Sequence, residues 1–342
     1  LCHFCDCWVW VRHLGARVLG VVLVMSVGLA GLVLDARVGY TNCGAAAARR
    51  IAGDIFPSDD PNVQLQIHRV PFGVTLAMCG FNYPLALIGR KIGPALVTGN
   101  TANIKSHSAT PVTASEFCRV CDEVGLPKGV INMVNGKGSE IGPQLVGSPI
   151  TKLISLTGST GAGRQIMRMA ADNIAGLVLE LGGKAPFIVL KDADMDKVVE
   201  AAVISRYGNA GQVCICNEMV MVDESIADEF AERVVERARQ IRVGDPMTDV
   251  DMGPTVTRSG LDRVIDAVNQ NVDQGAELLL GGKVPEGEYF ERGNWLEPTI
   301  LDNVQPDGAT VADELFGPVM PIPKISGYAE AVALTNARDE GL

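Results

Sequence analysis

The run GNAGQVCICNEM, Gly208 to Met219, sets two thiols one residue apart, and Glu180 stands 34 residues before Cys214 in LELGGK. A cysteine is a strong covalent nucleophile once its thiolate is accessible, and a carboxylate in a glycine-lined pocket can take a proton from water. Cys214 and Glu180 could therefore form and then hydrolyse a covalent intermediate. Each also has a plainer reading: a buried cysteine is commonly a small apolar filler, and a glutamate before Gly-Gly commonly ends a strand. A third run, LTGSTGAG (Leu156–Gly163), reads as a strand-to-helix turn. Its Gly158, Gly161 and Gly163 would allow close backbone approach, and the helix N-terminus would offer N–H groups to a phosphate. The same pattern also serves as an ordinary tight connection.

Such residues need a frame, and the chain supplies one from Gly44 onward. VQLQIHRV alternates as a strand, PFGVTLAMCG reads as a buried strand, and a helix is predicted from about Pro84 to Ile92. ALVTGNTANIK reads as the next apolar strand, then come a helix over Thr113–Val124, the strand GVINMVNG, a helix, the strand KLISLTGS and a helix over Gly161–Ala171. Strands alternating with helices imply right-handed βαβ units and a parallel sheet covered on both faces, with ligands at the carboxyl ends of the strands. After LVLELGGKAPFIVL helices dominate: Ile226, Phe230, Val234 and Ile241 line one, Leu261, Val264, Ile265 and Val268 another. Further strands are expected at AELLLGG and PTILDNV, so a second α/β domain begins near Leu181.

Composition bounds the rest. At 342 residues with 47% hydrophobic content the chain can build a sizeable core. A net charge of −11 without a basic run excludes a nucleic-acid partner. Nine cysteines, odd in number and irregular in spacing, fit a reducing compartment, so the cytoplasm is the default location. Cys118 and Cys121 fall inside a predicted helix, and Cys2, His3, Cys5 and Cys7 match no zinc spacing, so no metal is expected. Residues 1–42 form an atypical apolar segment. Val18–Leu34 is 17 residues without a charge, and three readings stand beside each other: a bilayer anchor or signal-like run, a buried helix, or a stretch that is not native structure.

Taken in order, the motifs resemble those of the NAD(P)-dependent aldehyde dehydrogenases, from about Gly44 to Leu342. FNYP (Phe81–Pro84), RKIGPAL, NIK, LTGSTGAG, LELGGK, GQVC and ELFGP (Glu314–Pro318) all stand in register. LELGGKAP, GQVCICNE and LFGPVMP are similar to the lactaldehyde and glycolaldehyde subgroup. The resemblance implies a Rossmann-type cofactor domain over 43–180 and a second α/β catalytic domain over 181–342. It implies that Cys214 attacks a small aldehyde, with the oxyanion held by the Asn82 amide and the Cys214 N–H, and that Glu180 activates the water that hydrolyses the thioester. Relatives that pass the acyl group to coenzyme A typically lack that glutamate, so Glu180 favours hydrolysis. Lys91 would act by electrostatics near the oxyanion and as a proton-relay member. The cofactor set would be Lys105 on the adenosine ribose, Ser108 beside it, Gly158, Ser159 and Gly163 at the pyrophosphate, Leu181 and Gly182, and Glu314 on the nicotinamide ribose with Phe316 packing beside it.

The chain departs from the family pattern in several places. Ser106, His107 and Ser108 follow the cofactor lysine where proline, serine and glutamate are usual, so NAD is the expected cofactor with NADP admitted. Gly80 and Phe81 replace a proline and a tryptophan before Asn82, which would loosen its placement, and Met219 stands where an arginine is common. The family continues beyond the position of Leu342 with the rest of the catalytic domain, part of the substrate funnel and the strand used in homo-oligomers. The expectation is a truncated enzyme, and the alternative an impaired or inactive fragment, with a membrane tether through Val18–Leu34 as its variant.

Overall fold

The structure, a computed structural model, describes residues 42–305 and 308–340. The Val18–Leu34 run and the Cys2–Cys7 cluster lie outside the described residues. The chain divides into two compact units, one ending at Leu181 and the other beginning at Gly182.

In the first unit, VTLAM is apolar at nearly every position and buried on both faces, which suits only a central strand of a covered sheet. It forms β3 (Val74–Met78), flanked by β4 (Thr101–Lys105) and β6 (Thr151–Thr157), with β5 (Ile131–Val134) and β7 (Gly176–Glu180) outermost. All pairs are parallel. The order β5-β4-β3-β6-β7 reverses between β3 and β6, and that reversal is where doubly wound sheets open a crevice beyond their carboxyl ends. Helices α1 (Pro84–Val97) and α2 (Pro111–Glu123) cover one face, where Leu87, Ile88, Ile92 and Ala114 meet Ile104. On the other face α3 (Gly138–Val146) and α4 (Thr160–Ala170) set Val146, Ile166 and Ala170 against Leu76 and Ile154. Each fully buried isoleucine contributes on the order of 1.5–3 kcal/mol. Two short strands, β1 (Asp54–Phe56) and β2 (Leu65–Ile67), pair antiparallel ahead of the sheet and are exposed along their length.

The helix α1 runs five residues past the expected end, taking Ala95–Val97 from the predicted strand. It continues through Pro94 because the lost N–H belongs to an exposed position, and it stops where Thr98 folds its hydroxyl onto the Pro94 carbonyl (2.7 Å) and Gly99 adopts a φ of 82°.

The second unit holds two three-stranded sheets. Parallel β8 (Pro186–Val189), β9 (Met219–Asp223) and β13 (Lys324–Ile325) form one; β10 (Glu277–Leu280), β11 (Thr299–Asp302) and β12 (Val319–Ile322) form the other. Helices α5 (Met195–Tyr207) and α6 (Ala227–Ala238) bury Val199, Val203, Phe230 and Val234 against Val220, Val222 and Met320. The helix α7 (Arg258–Asp273) buries Leu261, Val264 and Val268 with Met219, Met221 and Leu301. Ile226 caps α6 and Ile241 lies beyond it, so the predicted stripe on that helix is shorter than four residues. Met219, where the family pattern has arginine, is a fully buried apolar residue of this core. Among the described residues no helix is long and apolar enough to cross a membrane.

Candidate active site

Strand ends of the first unit deliver most of the expected residues. Asn82 lies four residues past β3 and is buried; Lys105 ends β4, Ser159 follows β6, and Glu180 is the last residue of β7. All four therefore sit on the carboxyl edge of one parallel sheet, the edge that binds ligands in such folds. Glu180 is half-buried there, and its carbonyl accepts from the Gly158 N–H at 3.0 Å.

Lys91 projects from α1 and donates to the Ser155 hydroxyl of β6 at 3.0 Å. Burial pushes its pKa down to about 8; the Cys79 thiol and Glu180 act against that shift, and Arg90 acts with it. Cys79, directly after β3, is buried and its thiol is raised to about 11 by desolvation. Lys105 is also buried, its ammonium donating to the Ser106 carbonyl at 2.9 Å, and burial lowers its pKa. Ser106 in turn bonds Asn135 after β5. Phe81 meets His107 edge to face at a centroid distance of 5.1 Å, so a ring from the β4 loop props the turn that carries Asn82. The looseness expected from Gly80 and Phe81 is opposed by that contact. Burial, and then Lys105, lower the His107 pKa.

The turn into α4 divides its glycines by task. Ser159 is the N-cap, its Oγ accepting from Ala162 N at 3.3 Å. The amides of Thr160 and Gly161 begin the helix and have no partner within it. Gly163 faces the other way: a Cβ there would come within 2.7 Å of Leu181, so it serves helix-to-sheet packing, and Leu181 is occupied by that contact. Ser108 is exposed on a turn, with no carboxylate at its position.

In the second unit Cys214 is half-buried while Cys216 is buried, its thiol donating weakly to the Gly211 carbonyl (3.7 Å) and raised to about 11 by burial. The preceding backbone is unusual. Asn209, Ala210 and Gly211 are consecutively left-handed, with φ of 53°, 54° and 70°. Such conformations cost roughly 1–2 kcal/mol per residue that carries a Cβ, somewhat less for asparagine, and persist only where contacts over-determine them. Gln212 supplies several: its N–H and its Nε2 both donate to Asn209 O (3.2 and 3.0 Å), and its Oε1 accepts from Val256 N at 2.9 Å.

Glu314 accepts from Gly183 N at 3.2 Å, and Gly182 has no side chain because a Cβ would stand 2.3 Å from Glu314 Oε2. Burial holds the Glu314 carboxyl above its usual range, against the pull of that N–H. Phe316, next but one, is left-handed at φ 53°.

Three buried charged residues escaped the sequence reading. Lys184, Arg206 and Glu218 are fully buried and ion-paired, Lys184 to Glu218 at 3.0 Å and Arg206 to Glu218 at 2.9 Å. Burial opposes the Glu218 charge, but the two cations overcome it and hold the carboxyl below its ordinary value. Lys184 and Glu218 were visible only as letters of LELGGK and GQVCICNE. Among the described residues no group of three or more His, Cys, Asp or Glu is placed to hold a metal.

Residues 34–342 match the family model described as the aldehyde dehydrogenase family. The chain is 45% identical over 297 residues to a 3,6-anhydro-alpha-L-galactose dehydrogenase of Vibrio sp., covering 86% of this chain and 62% of that protein. It is 41% identical over 305 residues to lactaldehyde dehydrogenase of Escherichia coli, covering 89% and 63%. A structure of betaine aldehyde dehydrogenase from Staphylococcus aureus in complex with NAD+ superposes with a TM-score of 0.94 at 32% identity, covering 97% of this chain and 66% of that one. The chain thus spans somewhat under two thirds of the length of these curated relatives.

Proposed function

The chain belongs to the aldehyde dehydrogenase family, and from that premise we propose that it oxidises a small hydroxy-aldehyde, of the lactaldehyde or glycolaldehyde kind, to the carboxylic acid with NAD(P)+ through a thioester on Cys214. The observation that carries this reading is the difference between neighbouring thiols: Cys214 is half-buried at the end of a strained, pinned turn, and Cys216 is shut in the core. A strained backbone held by many bonds fixes a nucleophile's direction before substrate arrives.

In this reading the Cys214 thiolate adds to the aldehyde carbon, and the oxyanion of the thiohemiacetal takes hydrogen bonds from the Asn82 amide and the Cys214 N–H. NAD(P)+, when bound, supplies the hydride acceptor. The residues fit such a dinucleotide: Ser159 with the open amides of Thr160 and Gly161 suits a pyrophosphate, and Lys105 and Glu314 suit ribose hydroxyls. Glu180 then accepts a proton from the water that attacks the thioester carbonyl, releasing the acid and regenerating the thiol. Lys91, poised near a pKa of 8, adds positive charge or hands on a proton near that step.

The purified chain, given NAD+ or NADP+ and glycolaldehyde or lactaldehyde, should form reduced cofactor. Cys214→Ala should abolish the rate and Cys216→Ala should keep most of it. An alanine variant at Cys214 that retains the parent rate refutes the nucleophile.

A further inference from the structure

Glu218 accepts from four donors: Lys184 Nζ at 3.0 Å, Arg206 Nη2 at 2.9 Å, and the N–H groups of Leu315 and Phe316 at 2.9 and 3.2 Å. Both cations are also engaged, although Arg206 Nε is buried without a hydrogen-bond partner among the described residues. Lys184 also donates to the carbonyls of Thr310 (2.8 Å) and Asp313 (2.6 Å). Arg206 also donates to the carbonyls of Gly211 (3.0 Å), Asn217 (3.1 Å) and Gly317 (2.8 Å). By position these partners form two groups. Gly211, Asn217 and Glu218 itself bracket Cys214; Thr310, Asp313, Leu315, Phe316 and Gly317 bracket Glu314.

Burying three charges is an expensive route to stability, because apolar side chains of the same volume avoid the desolvation. Directed donors do what apolar packing cannot: they fix the position of individual backbone groups. The groups they fix belong to two loops that contain left-handed residues with side chains, at Asn209 and Ala210 and at Phe316. The loops also meet directly, since a Cβ on Gly211 would stand 2.1 Å from the Gly317 carbonyl oxygen.

Resting on the aldehyde-oxidation reading of Cys214 and Glu314, we propose that the buried Lys184–Glu218–Arg206 cluster is a positioning device that binds the Cys214 loop and the Glu314–Gly317 loop into one mechanical unit. The three residues act through the loops, so that the nucleophile and the ribose-holding carboxylate are set together and a displacement of one displaces the other.

Native-state hydrogen exchange on the unaltered chain over a urea series tests the coupling. Peptides covering 209–217 and 313–317 should lose protection together, with the same dependence on urea, as one cooperative unit. Separate openings overturn the proposal. Arg206→Lys keeps the charge but removes the flat fork that reaches three carbonyls. In the folded variant both peptides should exchange about tenfold faster. Alkylation of Cys214 by iodoacetamide, read by peptide mass, should change at least about threefold, and the KM for cofactor should rise while kcat falls. A variant that only lowers the urea midpoint, with the alkylation rate and cofactor KM unmoved, shows a merely structural cluster and overturns the proposal. Should Arg206→Lys fail to fold, the exchange series on the unaltered chain decides. If the unaltered chain oxidises no aldehyde, the reading of Cys214 fails, while exchange and alkylation still decide the coupling.

Discussion

Replacing Lys91 by methionine should make the protein more stable and less active, and both changes follow from one buried ammonium. The Lys91 pKa falls from an ordinary 10.5 to about 8, chiefly through burial. Below pH 8 the residue is charged in both the folded and the unfolded chain, and the folded state bears the whole cost of the buried charge. Between pH 8 and 10.5 the folded chain sheds the proton while the unfolded chain keeps it, so stability rises with pH across that window. At about 1.4 kcal/mol per pH unit the shift amounts to about 3 kcal/mol. Methionine fills nearly the same volume without charge, and it loses the hydrogen bond to Ser155, worth on the order of 1 kcal/mol. At pH 7 the variant should therefore exceed the parent by about 2 kcal/mol, and by pH 10.5 the parent should have gained about 3 kcal/mol and overtaken it. Urea unfolding of both proteins at half-unit steps from pH 7 to 10.5 measures the difference, in which titrating groups that do not interact with Lys91 cancel, and repeating the pair in a Cys79→Ala background removes the coupled thiol. A difference that stays flat within about 1 kcal/mol over that range would refute the buried-cation argument. On the role proposed for Lys91, the turnover of Lys91→Met with saturating cofactor and aldehyde should fall at least about tenfold. Full turnover in a stabilised variant would leave Lys91 without a role.

Three further substitutions, one of them a control, test separate parts of the chain. Gly211→Ala places a Cβ at φ 70° and 2.1 Å from the Gly317 carbonyl oxygen, so thermal unfolding should show a loss of at least about 3 kcal/mol. Gly208→Ala, three residues earlier with φ −54° and open space around its Cβ, should stay within about 0.5 kcal/mol of the parent. Ser108→Glu restores a carboxylate on the turn after Lys105, and the ratio of kcat/KM for NAD+ over NADP+ should rise at least about tenfold; an unchanged ratio removes Ser108 from the 2′-phosphate region.

The first unit was legible because its chemistry is carried by local pattern. A parallel sheet alternates strand and helix, each strand ends where apolar residues give way to glycine or a polar residue, and Asn82, Lys105, Ser159 and Glu180 all stand at such ends. Where the reading slipped, local signals conflicted, as at Pro94, which suggests a break in a helix that runs on to Val97. The second unit was less legible for the opposite reason. The runs MVMVD and VMPI are short and apolar throughout, and periodicity cannot separate such a run from a buried helix segment, so β9 and β12 go unread. Lys184, Arg206 and Glu218 have no local signal at all: Arg206 looks like a cation completing the last turn of α5, and Lys184 and Glu218 look like exposed ends of strands. Their partners lie up to 129 residues away, and only the folded chain puts them in contact. A motif scan therefore finds the residues proposed to face a substrate and passes over those proposed to aim them. Met219 shows the consequence. The sequence suggests a lost cation beside the nucleophile, but Met219 points into the apolar core, and the guanidinium that grips the loop comes from Arg206, thirteen positions earlier on a different element.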